Sequence, residues 1–497
     1  MSKKKKHQPP NSSENNLIEK ALERYQPLLQ PEDFIKLRAE VKQPLLTTIR
    51  INMLKHDPTA LSERLHQIYG WELEPISYCV SGFRVETRQP SPSNTLEHRM
   101  GDLYIQEAAS MLPVELFDMT ANHHPLVLDM AASPGGKTIH LADRIHDRGL
   151  IIANDSSRSR VTALQIVLEK WGVINQAVTS IHGELFGELF PEVFDLVLLD
   201  APCSMEGLRT TASHPMRFTS DQERHRLALR QQKLLESALL TAKVGGQIVY
   251  STCTLAPEED ESVLAALLEK FPNVVTIDDL QPKLPFFAEG LTTIGQTHYP
   301  KEISHSIRLW PHVCHTAGFF TARLTKRKEI HNQRMPKQHR SKGIGFSLLP
   351  EKEVNFIFRL FRDEYGFDLE KLFEEQDLSL WKNKEELTLL PNQSLPAINN
   401  LYLISSGLRL GRLIESGFSP SHEFAARFGL MFQNGKILLA DELLPNWLRG
   451  EDLRGFSPHE YAKGKIVIVT DRYGRNLGRG KVLAAQLKNL LPNRLFQ

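Results

Sequence analysis

Between residues 126 and 324, short apolar runs alternate with longer stretches whose apolar positions recur every three or four residues. The runs at 126–130, 150–155, 177–181, 194–200 and 247–250 read as buried strands. After the second run, Val161, Leu164, Leu168 and Trp171 fall on one helical face. A longer stretch, from Asp221 to about Ala242, carries Leu227, Leu234, Leu235, Ala238 and Leu239 in the same way, and Gly245-Gly246 reads as its stop. Strands alternating with helices predict an α/β fold, a mainly parallel sheet with helices on both faces. Residues 307–310 and 318–324 read as a strand pair closing the sheet edge.

The flanks carry weaker patterns. Residues 1–16 are lysine-rich and polar, with Pro9-Pro10-Asn11-Ser12-Ser13 near their end, and read as a disordered basic arm. Residues 17–98 mix helical segments at 28–40 and 59–68 with strand-like pieces at 47–52 and 82–86, an α+β subdomain. Arg50 and Arg84 lie in those strand pieces as candidate phosphate contacts. The α/β domain spans 99–326. Residues 327–345 are basic, poor in apolar residues and contain Pro336, so they read as a linker. A second globular region, 346–497, ends in a β-rich module whose rim carries Arg479, Lys481, Lys488 and Arg494.

Composition narrows the setting. A chain of 497 residues with 41% hydrophobic and 24% charged residues suits two or three folded domains. Four cysteines without short spacings fit neither a disulfide framework nor a zinc site, which places the chain in a reducing cytoplasm with no metal expected. No apolar run is long enough to span a bilayer, and Lys3 to Lys6 are followed by no signal-peptide core. A net charge of +1 means that any nucleic acid would be held by local basic patches.

Two stretches carry chemistry. Asp129-Met130-Ala131-Ala132-Ser133-Pro134-Gly135-Gly136-Lys137-Thr138 follows the first strand, where the backbone must turn sharply against a ligand. Ala131 stands where a phosphate loop needs glycine, and Gly-x-Gly-x-x-Gly is absent. S-adenosylmethionine (SAM) remains, with Asp155 after the second strand for its ribose hydroxyls. The other stretch pairs Asp200-Ala201-Pro202-Cys203-Ser204 with Ser251-Thr252-Cys253-Thr254, each cysteine directly after a strand. Neighbouring strands would set two thiols in one cleft with Asp200 between them. A thiolate adding to C6 of a pyrimidine turns C5 into a nucleophile toward a sulfonium methyl, and a carboxyl group donating to N3 eases that addition. The base would have to be flipped out of its stack.

These motifs resemble the SAM-dependent RNA cytosine-5 methyltransferases of the Nol/Nop/Sun group. Glu206-Gly207, the acidic run Glu258 to Glu261, the segment Gly101 to Met111, Leu309-Trp310-Pro311-His312 and Gly318-Phe319-Phe320 extend the match over nearly the whole chain. The resemblance implies a Rossmann-like methyltransferase core over 99–326, an N-terminal RNA-binding subdomain and a C-terminal PUA-like RNA-binding module. It makes Cys253 the nucleophile and Cys203 the group that helps release product, with Asp200 as the third catalytic residue. The cofactor set becomes Ala131, Ala132, Ser133, Pro134, Gly135, Gly136, Lys137, Asp155, Arg160, His182 and Asp200. RNA contacts fall on Arg50, Lys481 and Lys488. In DNA cytosine methyltransferases the nucleophile sits in a Pro-Cys dipeptide, which leaves Pro202-Cys203 as a rival assignment. Segments around Gly407, Pro420 and Leu487 resemble the tail of members that modify small-subunit (16S) ribosomal RNA. The expected partner is therefore that RNA, with a monomeric enzyme. A tRNA methyltransferase or a catalytically silent assembly factor are the alternatives. His182, Met205 and Thr210 depart from the group's pattern, which has aspartate, glycine and lysine there.

Overall fold

The computed structural model describes residues 12–86, 89–120, 122–209, 219–286, 288–330, 346–392, 403–456 and 461–492. Thr210, residues 1–11 of the expected arm and residues 331–345 of the expected linker lie outside them. The first helix, α1 (Ser12–Tyr25), starts inside the stretch read as disordered, so that reading fails for 12–16. With α2 (Pro31–Glu40) it buries Leu22, Tyr25, Leu37 and Val41 against Leu208, Leu255 and Trp310. Both helices thus pack on the central domain's loops.

Four antiparallel strands follow, β1 (Thr47–Ile51), β2 (Glu72–Ile76), β3 (Cys79–Glu86) and β4 (Leu103–Ile105), in the order β2-β3-β1-β4. The intervening helix α3 (Pro58–Tyr69) is capped by Asp57, whose carboxylate accepts from the Ala60 amide at 2.9 Å. It stops at Gly70, at φ +66°. Leu61 and Leu65 on its inner face pack on Ile49, Ile51 and Trp71.

Arg50 corrects the sequence reading. It has no exposed surface. Its guanidinium pairs with Asp143, donates to Gln106 Oε1 at 3.2 Å and to the Gly136 carbonyl at 3.1 Å, and lies 5.0 Å over the Trp171 ring. It therefore cannot reach RNA phosphates. It fastens the N-terminal sheet to the central domain beside the 131–137 turn. Arg84 reaches Glu74 at 3.3 Å.

The central sheet contains β5 (Leu126–Asp129), β6 (Leu150–Asn154), β7 (Gln176–Thr179), β8 (Phe194–Asp200), β9 (Ala242–Thr252) and β10 (Val275–Ile277). A small hairpin, β11 (Thr293–Ile294) with β12 (Thr297–His298), precedes β13 (Ile307–Leu309) and β14 (Phe319–Lys326). The order runs β10-β14-β9-β8-β5-β6-β7, with β5 to β9 parallel and β14 antiparallel on β9. The order reverses at β5 and β8, and a ligand crevice opens at such a switch, at the carboxyl ends of the strands. Two expectations change here. β14 is an interior strand, since β10 covers its far side and β13 pairs with it off the main path. The helix Asp221–Thr241 ends at Thr241 and β9 begins at the next residue. Gly245, at φ +81°, and Gly246 lie within β9, whose pairing with β8 is irregular at its start.

C-terminal to these come β15 (Ser347–Leu348), β16 (Leu378–Asn383), β17 (Glu386–Pro391), β18 (Leu403–Ser406), β19 (Leu408–Ile414) and β20 (Gly417–Pro420). All but β18 form one sheet, packed on the helices Glu351–Tyr365, Leu369–Gln376 and His422–Phe428. β18 leaves it and pairs antiparallel with β7, extending the central sheet across the boundary read at 346. A last sheet, ordered β21-β23-β24-β25-β22, contains β21 (Lys436–Leu438), β22 (Leu453–Arg454), β23 (Ile466–Thr470), β24 (Asn476–Leu483) and β25 (Gln486–Asn489), with Trp447 fully buried in its core. Arg427 pairs with Asp147 and donates to the Gly172 carbonyl at 2.6 Å, while Arg475 reaches Tyr69 Oη at 3.1 Å. The C-terminal sheets are thereby pinned to both the central and the N-terminal parts. Among the described residues no helix is long and apolar enough to cross a membrane.

Candidate active site

Asp200 and Ser251 are direct partners in the parallel pairing of β8 with β9, so the loops that follow these strands leave the sheet side by side. This brings Cys203 Sγ to 3.1 Å from Cys253 Sγ. Both thiols are free. Asp200 does not lie between them, as the sequence reading had it. Its Oδ1 accepts from Ser251 Oγ at 2.7 Å and its Oδ2 from Lys137 Nζ at 2.7 Å. Lys137 also donates to Ser110 Oγ at 2.8 Å and sits 5.4 Å over the Phe319 ring. The carboxylate is held at both oxygens with a cation beside it, a fixed polar pair at the strand end.

These groups face a cavity of about 360 Å³, lined by Ala131 to Pro134, Gly136, Lys137, Asp129, Asp200, Tyr104, Glu107, Met205, Arg209, Cys253 and Phe319, among others. Cys253 is on the lining and Cys203 is not. The contact with Cys253, together with burial, pushes the Cys203 thiol well above its ordinary pKa. Cys203 is therefore a neutral thiol, able to hydrogen-bond a sulfur anion beside it. Met205 sits at φ +61°, a left-handed backbone that costs a side-chain-bearing residue roughly 1–2 kcal/mol. Glycine, which the resemblance leads one to expect there, would carry no such strain.

The residues fit a sulfonium amino-acid cofactor on two buried acceptor atoms that no hydrogen bond satisfies. Asp129, at the end of β5, accepts from Thr138 Oγ1 at 2.6 Å through one oxygen, while Oδ1 is buried with no hydrogen-bond partner. Asp155 accepts from the Ser157 amide at 2.9 Å, and its buried Oδ2 has only Arg160 Nε at 3.6 Å. One acceptor suits an ammonium, the other a ribose hydroxyl. The Ser133-Pro134-Gly135-Gly136 turn is held from Arg160, which donates to the Ser133 carbonyl at 2.5 Å and accepts from Ser133 Oγ at 2.9 Å. Gly135 has φ +115°, and a Cβ on Gly136 would come within 2.9 Å of the Tyr104 ring. Asp155, Arg160 and His182 are not on the cavity lining, and His182 is exposed.

Asp129 was overlooked as a site residue, although it opens the turn motif. Its carboxyl is pushed up to about 7, first by burial and further by Asp200. If Oδ1 receives the cofactor's ammonium, binding favours the ionised form. SAM affinity in calorimetry is then expected to weaken on the order of tenfold from pH 7.5 to 5.5, and Asp129→Asn to flatten that dependence. Stability of the free protein runs the other way. The native state holds an extra proton between the ordinary carboxylate range and pH 7, so the contribution of Asp129 is lost as pH rises through that window.

Lys481 and Lys488 face each other across β24 and β25, and neither forms an ion pair with another described residue. Among the described residues one group, Cys79, Glu115 and His140, has metal-ligand chemistry. Arg144 lies 3.3 Å from Glu115, and burial with Arg50 alongside lowers His140 to about 4. Charge there is already balanced, and we assign it no ion.

Residues 117–325 match the family described as 16S rRNA methyltransferase RsmB/F, and residues 17–108 match the N-terminal domain of 16S rRNA methyltransferase RsmF. Curated relatives named ribosomal RNA small subunit methyltransferase F include that of Aeromonas hydrophila, 33% identical with 94% of both chains covered. That of Vibrio campbellii is 32% identical over the same shares. Among solved structures, a methyltransferase homolog from Pyrococcus horikoshii aligns with a TM-score of 0.54 at 31% identity, covering 64% of this chain and 100% of its own. NSun6 from the same organism shares the fold, with a TM-score of 0.52 at 22% identity over 62% of this chain and 98% of its own.

Proposed function

The chain belongs to the 16S rRNA methyltransferase RsmB/F family, and on that premise we propose that it methylates C5 of a cytosine in small-subunit ribosomal RNA, with SAM as methyl donor and Cys253 as nucleophile. The observation that carries the assignment is the lining of the cavity. Cys253 stands there with Asp200 and Lys137, whereas Cys203 stands behind it as a neutral thiol.

Asp129 and the 131–137 turn would hold the amino-acid end of SAM, with Asp155 at its ribose. SAM supplies an electrophilic methyl group when bound. Cys253 gives its thiol proton to solvent and its sulfur bonds to C6 of a flipped cytosine, and the charge that develops at N3 is met by the Asp200–Lys137 pair, which donates a proton there. C5 would take the methyl group as the methyl–sulfonium bond breaks and its electron pair stays on the donor sulfur, and C5 then loses its own proton to solvent as the C6–S bond breaks and returns its pair to Cys253. N3 returns its proton to the pair. Cys203 donates a hydrogen bond to the departing Cys253 sulfur, which lowers the cost of its leaving as an anion.

The N-terminal sheet and the two C-terminal sheets are RNA-holding parts in this reading, the last of them PUA-like. Lys481 and Lys488 offer paired cations to a phosphate. The enzyme acts as a monomer in the cytoplasm. The test is methyl transfer from labelled SAM to assembled small subunits, to naked 16S rRNA and to tRNA, followed by nucleoside analysis. 5-Methylcytidine in either ribosomal substrate is expected. Label in tRNA alone would overturn the substrate assignment, and label in another nucleoside would overturn the chemistry.

A further inference from the structure

The loop that carries Cys203 is clamped both from its own domain and from the N-terminal helices. Three residues after the cysteine, the Glu206 carboxylate accepts from Arg24 Nη1 at 2.6 Å and from Arg224 Nη1 at 3.0 Å. The Glu206 carbonyl accepts from the Tyr25 hydroxyl at 3.2 Å. Arg24 and Tyr25 form the last turn of α1, far away in sequence. Tyr25 is buried, with its ring edge-on to Trp310 at 6.0 Å, and Arg24 also reaches Glu258 at 3.1 Å. Farther along the loop, Arg209 donates to Glu40 at 2.9 Å and to the Pro44 carbonyl at 2.9 Å, so α2 and its exit hold the other end.

From the central domain, Glu259 accepts from the Ser204 amide at 2.9 Å and Gln231 donates to the Pro202 carbonyl at 2.9 Å. Cys253 is held differently. It follows directly on β9, which is paired on one side with β8 and on the other with β14 up to Thr252. The two loops meet where Ser204 Oγ donates to Thr254 Oγ1 at 3.0 Å, but the strand pairing up to Thr252 anchors Cys253, so disturbing the clamp moves the Cys203 sulfur more than the Cys253 sulfur.

We propose that Glu206 is a positioning residue for Cys203, and that α1, through Arg24 and Tyr25, completes its seat. The clamp holds the Cys203 thiol against the Cys253 sulfur, so it serves the release half of the reaction more than attack or RNA capture. This rests on the roles proposed above for the two thiols.

The test uses the full chain with SAM and 16S rRNA, comparing wild type, Glu206→Gln, Arg24→Ala, Arg24→Lys and Tyr25→Phe, with Cys203→Ala as control. Turnover is measured together with the fraction of protein in a denaturant-stable RNA adduct. Glu206→Gln and Arg24→Ala are expected to lower kcat about fivefold, leave KM for RNA within about twofold, and raise the steady-state adduct. Arg24→Lys keeps a cation near Glu206 and should restore most of the loss. Tyr25→Phe removes a single hydrogen bond, and a smaller shift in the same direction is expected even where the charge variants fold poorly. A fall in kcat with no added adduct, a change confined to KM, or unchanged kinetics in all variants would overturn the proposal. Absence of adduct in the Cys203→Ala control would overturn instead the thiol roles on which it rests.

Discussion

Cys253→Ala is expected to lower methyl transfer on the order of 10⁴-fold or more, with SAM affinity within about twofold of wild type. Without a sulfur at C6 the pyrimidine C5 has no means of becoming a nucleophile. No other thiol among the described residues can take over. Cys79 and Cys314 are buried, and burial pushes both thiols up to about 12. Cys203 is adjacent but off the cavity lining. SAM affinity should survive because the acceptors on Asp129 and Asp155 lie at the end of β5 and just after β6, on elements other than the two cysteine loops. Single-turnover transfer and calorimetry on the same preparation separate the two effects.

Arg50→Ala is expected to destabilise the protein by about 3–5 kcal/mol, the size found when one partner of a buried ion pair is removed. Arg50 and Asp143 are both fully buried. Asp143 keeps the Trp171 indole N–H at 2.9 Å, but alone with it would be a carboxylate in an apolar interior. Arg50 also bridges β1 to the Gly136 carbonyl, so loosening it should disturb the cofactor turn. The readouts are the midpoint of thermal or urea unfolding, and RNA affinity at a temperature where the variant is folded. A large loss of stability with RNA affinity nearly unchanged is expected. The reverse pattern would restore Arg50 to the RNA surface.

The contrast between Arg50 and Cys253 shows where the sequence was informative. The strands β5 to β9 were legible because both of their faces are covered, which writes them as continuous apolar runs. A turn motif or a reactive residue directly after such a run must then sit at the carboxyl edge of the sheet. That logic places Lys137, Asp200 and both cysteines at that edge from the sequence alone. It was silent on Arg50, since a charge in an alternating strand reads as solvent-facing, and its partner Asp143 lies on a helix 93 positions on. β18 was hidden for a related reason. It completes the sheet begun by β7, and nothing in its own residues names the strand it will pair with. Glu206 was noticed as part of a motif, but its two guanidinium partners come from helices on either side of it in sequence. Gly245-Gly246 misled because a glycine pair after an amphipathic stretch serves a helix stop and a strand irregularity equally well.

The central claim is that Cys253 bonds to the RNA and Cys203 sees it released. The most direct measurement incubates Cys203→Ala and Cys253→Ala with SAM and 16S rRNA, then resolves the products under denaturing conditions. A shifted, covalent protein–RNA band is expected with Cys203→Ala and none with Cys253→Ala. A band with Cys253→Ala alone would contradict the account and move the nucleophile to the Pro202-Cys203 dipeptide.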